Sequence, residues 1–372
     1  MAKRGEKENK RSGVLICGAY GMSNAGDEAI LEAVVGQLRS IDRDMPITVL
    51  SRTPDVTGTK HGVNSLHMFD LFGFLRVMRS CRLYINGGGS LIQDVTSSRS
   101  LWYYLYTIAA AKRRGCRVLM YGCGIGPVHR GFNRALAGWV INRYVDAITL
   151  REENSLAELA EFKVTKPETV VASDPALTLT GAPDEVVDGK MRSLGLDPEG
   201  KYICFCLREW QGFAERAGCF AGAADYAYEK YGLTPLFLSV NLRSDGTASM
   251  AAAKLMSAPH FVLEELMPTA LTVGIIARMQ AVVSIRLHGL IFAASQAVPT
   301  AGVSYDPKVS SFLDYIGRKN YVPLEELTEE RLRQLSDKAL REDRDALRAA
   351  AEQLKRVESL NTEAARRLLE RK

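Results

Sequence analysis

Short apolar runs alternate with amphipathic stretches along most of the chain, and this alternation restricts the fold more than any other feature. In the first half, runs of strand length cover residues 14–17, 47–50, 82–85, 117–121, 147–150 and 169–171. After a polar break at 181–185, a second set covers 202–207, 235–240, 261–262, 281–285 and 300–303. Strands that alternate with helices are typical of a parallel sheet with helices on its faces. The sequence therefore predicts two open α/β domains facing a cleft.

The predicted domains occupy residues 12–180 and 190–323. Residues 324–372 are rich in Leu, Ala, Glu, Arg and Lys with helical periodicity, so we expect the chain to close with charged amphipathic helices. Open α/β sheets bind ligands at the carboxyl ends of their strands. The residues that directly follow the strands are therefore the first candidates for a site.

Composition indicates a soluble cytoplasmic protein. Of 372 residues, 47% are hydrophobic and 24% charged, no apolar run reaches bilayer length, and the basic opening at residues 1–11 leads into a strand and not into a signal peptide. The net charge of +5 does not require nucleic acid, although it permits weak attraction to anionic membranes. The seven cysteines predict reduced core thiols. We expect Cys204 and Cys206 to point to opposite faces of a strand, which makes joint metal binding by this pair improbable.

An arginine and a histidine stand one residue apart where the strand at 281–285 ends and a helix begins, in the order Arg286, Leu287, His288. Arginine is permanently cationic and binds carboxylate or phosphate through two N–H groups, while histidine exchanges protons near neutral pH. The pair suits chemistry on a small anionic substrate. The alternative is a buried histidine and a surface arginine that share a turn by chance.

Glycine-rich segments follow three of the first-half strands, at residues 18–28, 86–90 and 122–127. Three such strand exits predict a ligand site, because glycine permits positive φ and close approach to the backbone. The spacing in the first segment is not that of a dinucleotide or Walker motif, which disfavours nicotinamide and ATP. Asn24 and Asp27 either contact substrate or cap the helix that follows. Gly88 and Gly89 lie in the second segment.

Further cations follow other strands. Arg151 comes directly after the run at 147–150, where the alternative is a surface salt bridge with Glu152 or Glu153. Arg208 stands two residues before Trp210, a pairing that suits a phosphate beside a sugar ring or, equally, a stacked surface pair. Lys308 follows the last of these strands. The sequence has no spacing typical of a metal site, and we expect none.

This set of motifs resembles the polysaccharide pyruvyl transferase family, and within it most closely the CsaB type. The matching segments are residues 18–28, 86–90, 151, 154–155, 174–177, 208–210, 284–289 and 305–308. The resemblance implies a two-domain fold like that of GT-B glycosyltransferases, with phosphoenolpyruvate as co-substrate and no cofactor. For the acceptor it implies the ManNAc of a ManNAc-GlcNAc disaccharide on undecaprenyl diphosphate. That sugar would receive a 4,6-pyruvate ketal, in making a secondary cell-wall polymer of the kind that anchors S-layers.

For the donor, the resemblance implies specific residues. Arg286, Leu287 and His288 match the donor-binding and catalytic turn of the family. Arg151 is similar to its second donor-binding arginine, and Lys308 matches its rim lysine. His288 is the candidate acid and base, because histidine has the ordinary pKa closest to neutrality.

For the acceptor, the resemblance favours the N-terminal domain. Asn24, Asp27, Gly88 and Gly89, with Arg208 from the second domain, are the candidates for contacts to the acceptor or a phosphate. A lipid-linked acceptor, together with the Lys and Arg residues near both termini, also suggests peripheral association with the inner membrane leaflet.

Two other functions stay open. A GT-B-type nucleotide-sugar glycosyltransferase would share the fold, and fold alone does not separate the two activities. Such a glycosyltransferase would need an acidic residue in the second domain to bind the ribose of the nucleotide, and Glu264 and Glu265 are candidates. A non-enzymatic sugar-binding or scaffolding protein would not need a histidine beside an arginine.

Overall fold

The computed structural model describes residues 11–241 and 245–371. The basic opening segment, apart from Arg11, therefore lies outside the described residues. Internal contacts divide the chain into two units. Unit 1 comprises residues 11–22, 30–172 and 359–371, and unit 2 comprises residues 23–29 and 173–358. The predicted boundaries, 12–180, 190–323 and 324–372, stay a prediction, and unlike them neither unit is one consecutive segment.

Unit 1 contains a seven-stranded parallel sheet in the order β3-β2-β1-β4-β5-β6-β7. Its strands are β1 Gly13–Cys17, β2 Ile47–Ser51, β3 Asn64–His67, β4 Cys81–Ile92, β5 Arg117–Ile125, β6 Ala147–Leu150 and β7 Glu168–Val171. The connecting helices are α1 Ala25–Ile41, α2 Pro54–His61, α3 Leu71–Val77, α4 Ser98–Arg113, α5 Gly131–Tyr144 and α6 Asn154–Glu161. The inward residues of α3, α4, α5 and α6 share one core with the sheet, so these helices cover the same face.

Unit 2 contains a six-stranded parallel sheet in the order β10-β9-β8-β11-β12-β13. Its strands are β8 Tyr202–Cys206, β9 Thr234–Leu238, β10 Phe261–Leu263, β11 Ala281–Ser284, β12 Thr300–Ser304 and β13 Tyr321–Pro323. Its helices are α7 Asp184–Ser193, α8 Phe213–Tyr231, α9 Asp245–Ala253, α10 Thr269–Ala277, α11 Leu287–Ser295, α12 Pro307–Tyr315 and α13 Glu329–Leu340. The final helix, α14 Arg344–Glu370, is divided between the units.

The predicted fold class is confirmed. Both sheets are parallel with helices between their strands, and α13 and α14 are the expected C-terminal helices. Central strands such as β1 and β8 are buried along their whole length, which explains their apolar sequences. The edge strands β3 and β13 were missed, because their residues are mostly half-buried or exposed and lack an apolar run.

Two details of the sequence prediction were wrong. The glycine segment at 86–90 is not a turn after a strand but part of β4, and residues 122–125 of the segment at 122–127 belong to β5. The backbone φ is positive at Gly88, Gly89 and Gly122 inside these strands, and at Gly126 directly after β5. The β4–β5 register shifts just beyond Gly89, so glycine lets the strands continue irregularly.

Cys204 and Cys206 lie on the same face of β8, with their sulfur atoms 3.8 Å apart, because side chains two residues apart in a strand point the same way. The cysteines are free thiols, all buried except the half-buried Cys219. Among the residues that the structure describes, no helix combines the length and the apolar character needed to cross a membrane.

Candidate functional site

The sheet of unit 2 has a topological switch between β8 and β11. The chain moves from β8 toward β9 and β10 on one side, and the later strands β11, β12 and β13 lie on the other. A crevice forms at the carboxyl ends of strands at such a point, and open α/β proteins bind ligands there. Arg208 follows β8, Arg286 follows β11 and Lys308 follows β12, so three predicted site residues lie at neighbouring strand ends.

The turn after β11 is held tightly against β8. The backbone N–H of Ile285 donates to the carbonyl of Cys206 at 3.0 Å, and the Ser284 hydroxyl donates to the carbonyl of Arg286 at 2.7 Å. A β-carbon at Gly289 would lie 2.6 Å from the Ser284 hydroxyl oxygen, so only glycine fits. These contacts fix Arg286 as the residue that precedes α11, and Leu287 and His288 are the first two residues of that helix.

Arg286 is paired with a carboxylate that the sequence prediction missed. Its Nε donates to Oδ1 of Asp245 at 2.8 Å, and its Nη2 bonds the same oxygen. The other oxygen accepts the backbone N–H groups of Val240 at 3.0 Å and Asn241 at 2.8 Å. Asp245 is fully buried and Arg286 nearly so, which requires that their charges be paired. The pair fixes the direction of the guanidinium. The sequence signal that could have revealed Asp245 is its position at the start of α9, shortly after β9.

His288 is half-buried in the first turn of α11 and lies against the backbone of Gly26. A β-carbon on Gly26 would come within 2.1 Å of Nδ1 of the imidazole. The backbone N–H of Ala25 donates to the carbonyl of Val240 at 2.9 Å, which holds residues 23–29 in unit 2 beside the end of β9. Glycine at position 26 therefore provides the space that the imidazole occupies.

Asn24 and Asp27 interact with each other and with the start of α1. The Asn24 side-chain oxygen accepts the backbone N–H of Gly26 at 3.2 Å, and its amide donates to the Asp27 carboxylate. These contacts match the capping interpretation. A contact between either residue and a substrate stays a prediction.

Arg208 belongs to a cluster of cations and aromatic rings. Its guanidinium carbon lies 4.9 Å from the ring centre of Trp210 and 4.8 Å from that of Tyr305, whose hydroxyl it also contacts. The Lys308 ammonium lies 5.2 Å from the Tyr305 ring centre and 3.1 Å from Asp306. Trp210 is 40% exposed. In the part of the chain that the structure describes, no carboxylate pairs with Arg208, so its charge is available to an anion.

Arg151 lies in unit 1 and is buried. Its Nε donates to Glu152 at 2.8 Å and its Nη2 to the Ser90 hydroxyl at 3.1 Å, while the Ser155 hydroxyl donates to the other Glu152 oxygen at 3.0 Å. The salt bridge with Glu152 that we considered as the alternative is present, but inside the unit and not on its surface. A contact between Arg151 and the donor stays a prediction.

The glycines of unit 1 admit the protein's own side chains. A β-carbon on Gly88 would lie 2.0 Å from the side chain of Ile30, and one on Gly124 would lie 2.8 Å from the Glu152 carboxylate. The Tyr20 hydroxyl donates to the carbonyl of Gly87 at 2.9 Å, where β1 and β4 lie side by side. The close approach predicted for these segments is therefore real, and the contacts of Gly88 and Gly89 with an acceptor stay a prediction.

No group of three or more His, Cys, Asp or Glu side chains suited to hold a metal ion occurs among residues 11–241 and 245–371. The expectation that the protein needs neither metal nor cofactor stays a prediction. What the strand ends of unit 2 offer is a set of cations beside a histidine.

Solved structures define the class of fold. Anabaena HepE in complex with UDP-glucose is 10% identical and superposes with a TM-score of 0.65 over 95% of this chain and 99% of that one. A glycosyltransferase from Rickettsia africae (11% identity, TM-score 0.62, 97% and 100% coverage) and the UDP-GlcNAc 2-epimerase from Neisseria meningitidis (12%, 0.61, 96% and 100%) are similarly related. At this level of identity the likeness concerns the fold, which is GT-B-like.

The family follows from sequence. A model of the polysaccharide pyruvyl transferase family matches residues 24–307, a span that includes both Arg286 and His288. The chain therefore belongs to the polysaccharide pyruvyl transferase family, and it is a transferase, as the resemblance predicted. A search of curated proteins gave no match.

Proposed function

We propose that the protein transfers the enolpyruvyl group of phosphoenolpyruvate to a saccharide carried on a lipid diphosphate and releases phosphate. Membership of the family gives the reaction class, and the donor, the acceptor and the place of reaction are our proposal. The observation that carries it is the turn after β11, where an arginine fixed by a buried carboxylate stands two residues from a half-buried histidine.

The charges of the site support a small, strongly anionic donor. Phosphoenolpyruvate carries a carboxylate and a phosphate, and each can accept paired hydrogen bonds from a guanidinium. Arg286 is oriented by Asp245, and Arg208 and Lys308 lie at the two strand ends that flank it. Cations at neighbouring strand ends offset the repulsion between this donor and an acceptor that is itself a diphosphate.

The chemistry requires proton transfer and no redox step. One sugar hydroxyl adds to C2 of the enolpyruvyl group and loses its proton, while C3 gains a proton and becomes a methyl group. The bond from C2 to the phosphate oxygen breaks, and a second hydroxyl adds to C2 and loses its proton. The two sugar hydroxyls therefore lose two protons in total. One of these is matched by the proton that the methyl group gains, and the other by the proton on the released phosphate. His288 is the group in this site suited to take and give these protons.

For the acceptor we propose ManNAc in ManNAc-GlcNAc-diphosphate-undecaprenol, ketalised across its 4- and 6-hydroxyls as in the CsaB type, in cell-wall biosynthesis at the cytoplasmic face of the membrane. The exposed ring of Trp210 beside Arg208 suits a sugar ring next to a phosphate. Asn24, Asp27, Gly88 and Gly89 remain candidates for acceptor contacts.

The test is to incubate the purified protein with phosphoenolpyruvate and a synthetic lipid-diphosphate ManNAc-GlcNAc acceptor, and to follow phosphate release and acceptor mass. We expect a mass gain equal to a pyruvate ketal that is lost in His288→Ala. Turnover of a nucleotide sugar without phosphate release from phosphoenolpyruvate would instead support the glycosyltransferase alternative and contradict the proposal.

A further inference from the structure

One surface of unit 1 carries most of the exposed aromatic side chains of the described chain. Helices α3, α4 and α5 cover one face of the sheet, and their outer side carries five aromatic residues that are 44–83% exposed. These five are Phe72, Trp102, Tyr106, Phe132 and Trp139. Phe69, in the loop before α3, is 65% exposed. Among the described residues of unit 2, the exposed aromatic residues are Trp210 and Tyr228. Isolated exposed side chains need no explanation, but six on one helical layer do.

The same three helices are basic and contain no acid. Their sequences hold six Lys and Arg residues and neither Asp nor Glu, in a chain whose totals are 48 basic and 43 acidic residues. Lys112 pairs with Asp146 and Arg134 with Glu161. In the described ranges, the remaining four have no carboxylate partner; they are Arg76, Arg99, Arg113 and Arg143. Although Asp70 at the start of α3 is an exposed acid on this surface, the four arginines leave the surface with an excess of positive charge.

The cations and the rings lie in the same stripes. On α4, Trp102 and Tyr106 follow Arg99 by three and seven residues, and on α3 Arg76 follows Phe72 by four, so each set shares a helical face. Beside them lies an apolar cavity of about 180 Å³. It is lined by Leu50, Met68, Phe69, Leu71, Phe74, Tyr103, Tyr106 and Thr107. Arginine next to exposed aromatic and aliphatic groups is the composition of surfaces that bind at the headgroup level of a bilayer.

We propose that this aromatic-basic face, formed by Phe69, Phe72, Trp102, Tyr106, Phe132 and Trp139 with the four arginines named above, binds the surface of an anionic phospholipid bilayer. The rings enter the headgroup region and the guanidinium groups bind lipid phosphates. A second copy of the chain is disfavoured as the occupant, because a self-complementary contact would bring two positive faces together. This face would explain how the protein associates with a membrane, as the proposed function requires. Only the choice of the cytoplasmic leaflet rests on the proposed function.

The test is flotation of the full-length protein with phosphatidylglycerol-containing vesicles and with pure phosphatidylcholine vesicles, without donor or acceptor. We expect binding to the anionic vesicles that high salt weakens. Arg99→Glu with Arg143→Glu should lower the partition coefficient by at least about fivefold for each arginine, and Phe72→Ser with Phe132→Ser should lower it further. Because these side chains are exposed, melting temperatures should not change.

Matched controls keep the composition of each change but move it off the face. Arg331→Glu with Arg348→Glu makes the same charge change on exposed residues of unit 2, and Val56→Ser with Leu255→Ser removes exposed apolar side chains elsewhere. Both controls should bind as the wild type does. Equal loss in the charge control, or full binding by the face variants, would overturn the proposal. Because no turnover is measured, failure of the proposed reaction would leave this result unchanged.

Discussion

In unit 1 the carboxyl ends of the central strands are filled by the protein's own side chains, whereas in unit 2 they present a half-buried histidine and a partly exposed cluster of cations and rings. Tyr20 covers the end of β1 and bonds to Gly87, and Arg151 is enclosed with Glu152. In unit 2, His288 and Trp210 keep exposed surface beside Arg286 and Arg208. A glycine-rich strand end in unit 1 therefore indicates close packing, whereas the strand ends of unit 2 are distinguished by a histidine beside arginines.

The largest effect should come from removing the proposed acid and base. His288→Gln keeps a polar side chain of similar size but cannot exchange protons near neutral pH, so kcat should fall by about 10²- to 10⁴-fold. His129→Ala, at an exposed histidine of unit 1, should retain wild-type kcat. Phosphate release measured under saturating donor decides this, and wild-type turnover by the glutamine variant would remove His288 from the mechanism.

Next in size is the effect of displacing the imidazole without changing it. In Gly26→Ala the new β-carbon would lie 2.1 Å from Nδ1 of His288, so the ring must move. A misplacement of about 1 Å can lower a rate by about 10²-fold, and we expect a loss of that order. Gly36→Ala lies in the same helix with no atom within 4 Å of the new β-carbon and should leave kcat unchanged. If both variants turn over equally, the contact between Gly26 and His288 does not matter for catalysis.

The two arginine–carboxylate pairs should respond differently to the same change. Arg286→Lys loses the fork held by Asp245, so KM for phosphoenolpyruvate should rise about 10- to 100-fold, the equivalent of one or two charged hydrogen bonds. Arg151→Lys breaks buried bonds to Glu152 and Ser90, and its main effect should be a lower melting temperature. Kinetics and thermal melts on both variants test this. A KM rise in Arg151→Lys with unchanged stability would favour the donor contact predicted from the sequence.

In unit 1, substitution of a closely packed glycine should lower stability. Gly88→Ala places a β-carbon 2.0 Å from Ile30 at a φ of +61°, so it should lower the free energy of unfolding by about 1–3 kcal/mol. Gly62→Ala has nearly the same φ, +60°, but nothing within 4 Å, so it isolates the backbone term. Denaturant unfolding measures the loss of stability in each variant. The loss in Gly88→Ala minus the loss in Gly62→Ala gives the cost of the contact with Ile30. Equal losses would mean that Ile30 is readily displaced.

The smallest effect concerns pH and the start of α5. Burial alone would raise the pKa of Asp94, but hydrogen bonds from the Asn133 side chain at 2.8 Å and from the backbone N–H groups of His129 and Arg130 lower it below the ordinary value. A depressed folded pKa stabilises the protein above the unfolded pKa, and that stability is lost as pH falls through the folded pKa. Asp94→Asn should therefore flatten the melting temperature profile below about pH 4. An unchanged profile would contradict this role.

The alternation of apolar and amphipathic runs was sufficient to predict both sheets and the C-terminal helices, because their central strands are buried on both faces. It did not predict β3 or β13, since half-exposed edge strands need no apolar run. The positions of Arg208, Arg286 and Lys308 at strand ends could be predicted, because each of these cations follows an apolar run in the sequence. Asp245 and the approach of Gly26 to His288 were missed, because both contacts join segments far apart in the chain.

The most direct test of the account is to run the reaction in D₂O and to determine the isotope content of the ketal methyl group by mass spectrometry. Enolpyruvyl transfer with protonation at C3 predicts one solvent deuteron in the methyl group of the acceptor ketal, and no labelled product from His288→Ala. An acceptor that gains a hexose from a nucleotide sugar, or a ketal that forms without solvent label, would contradict the mechanism assigned to the strand ends of unit 2.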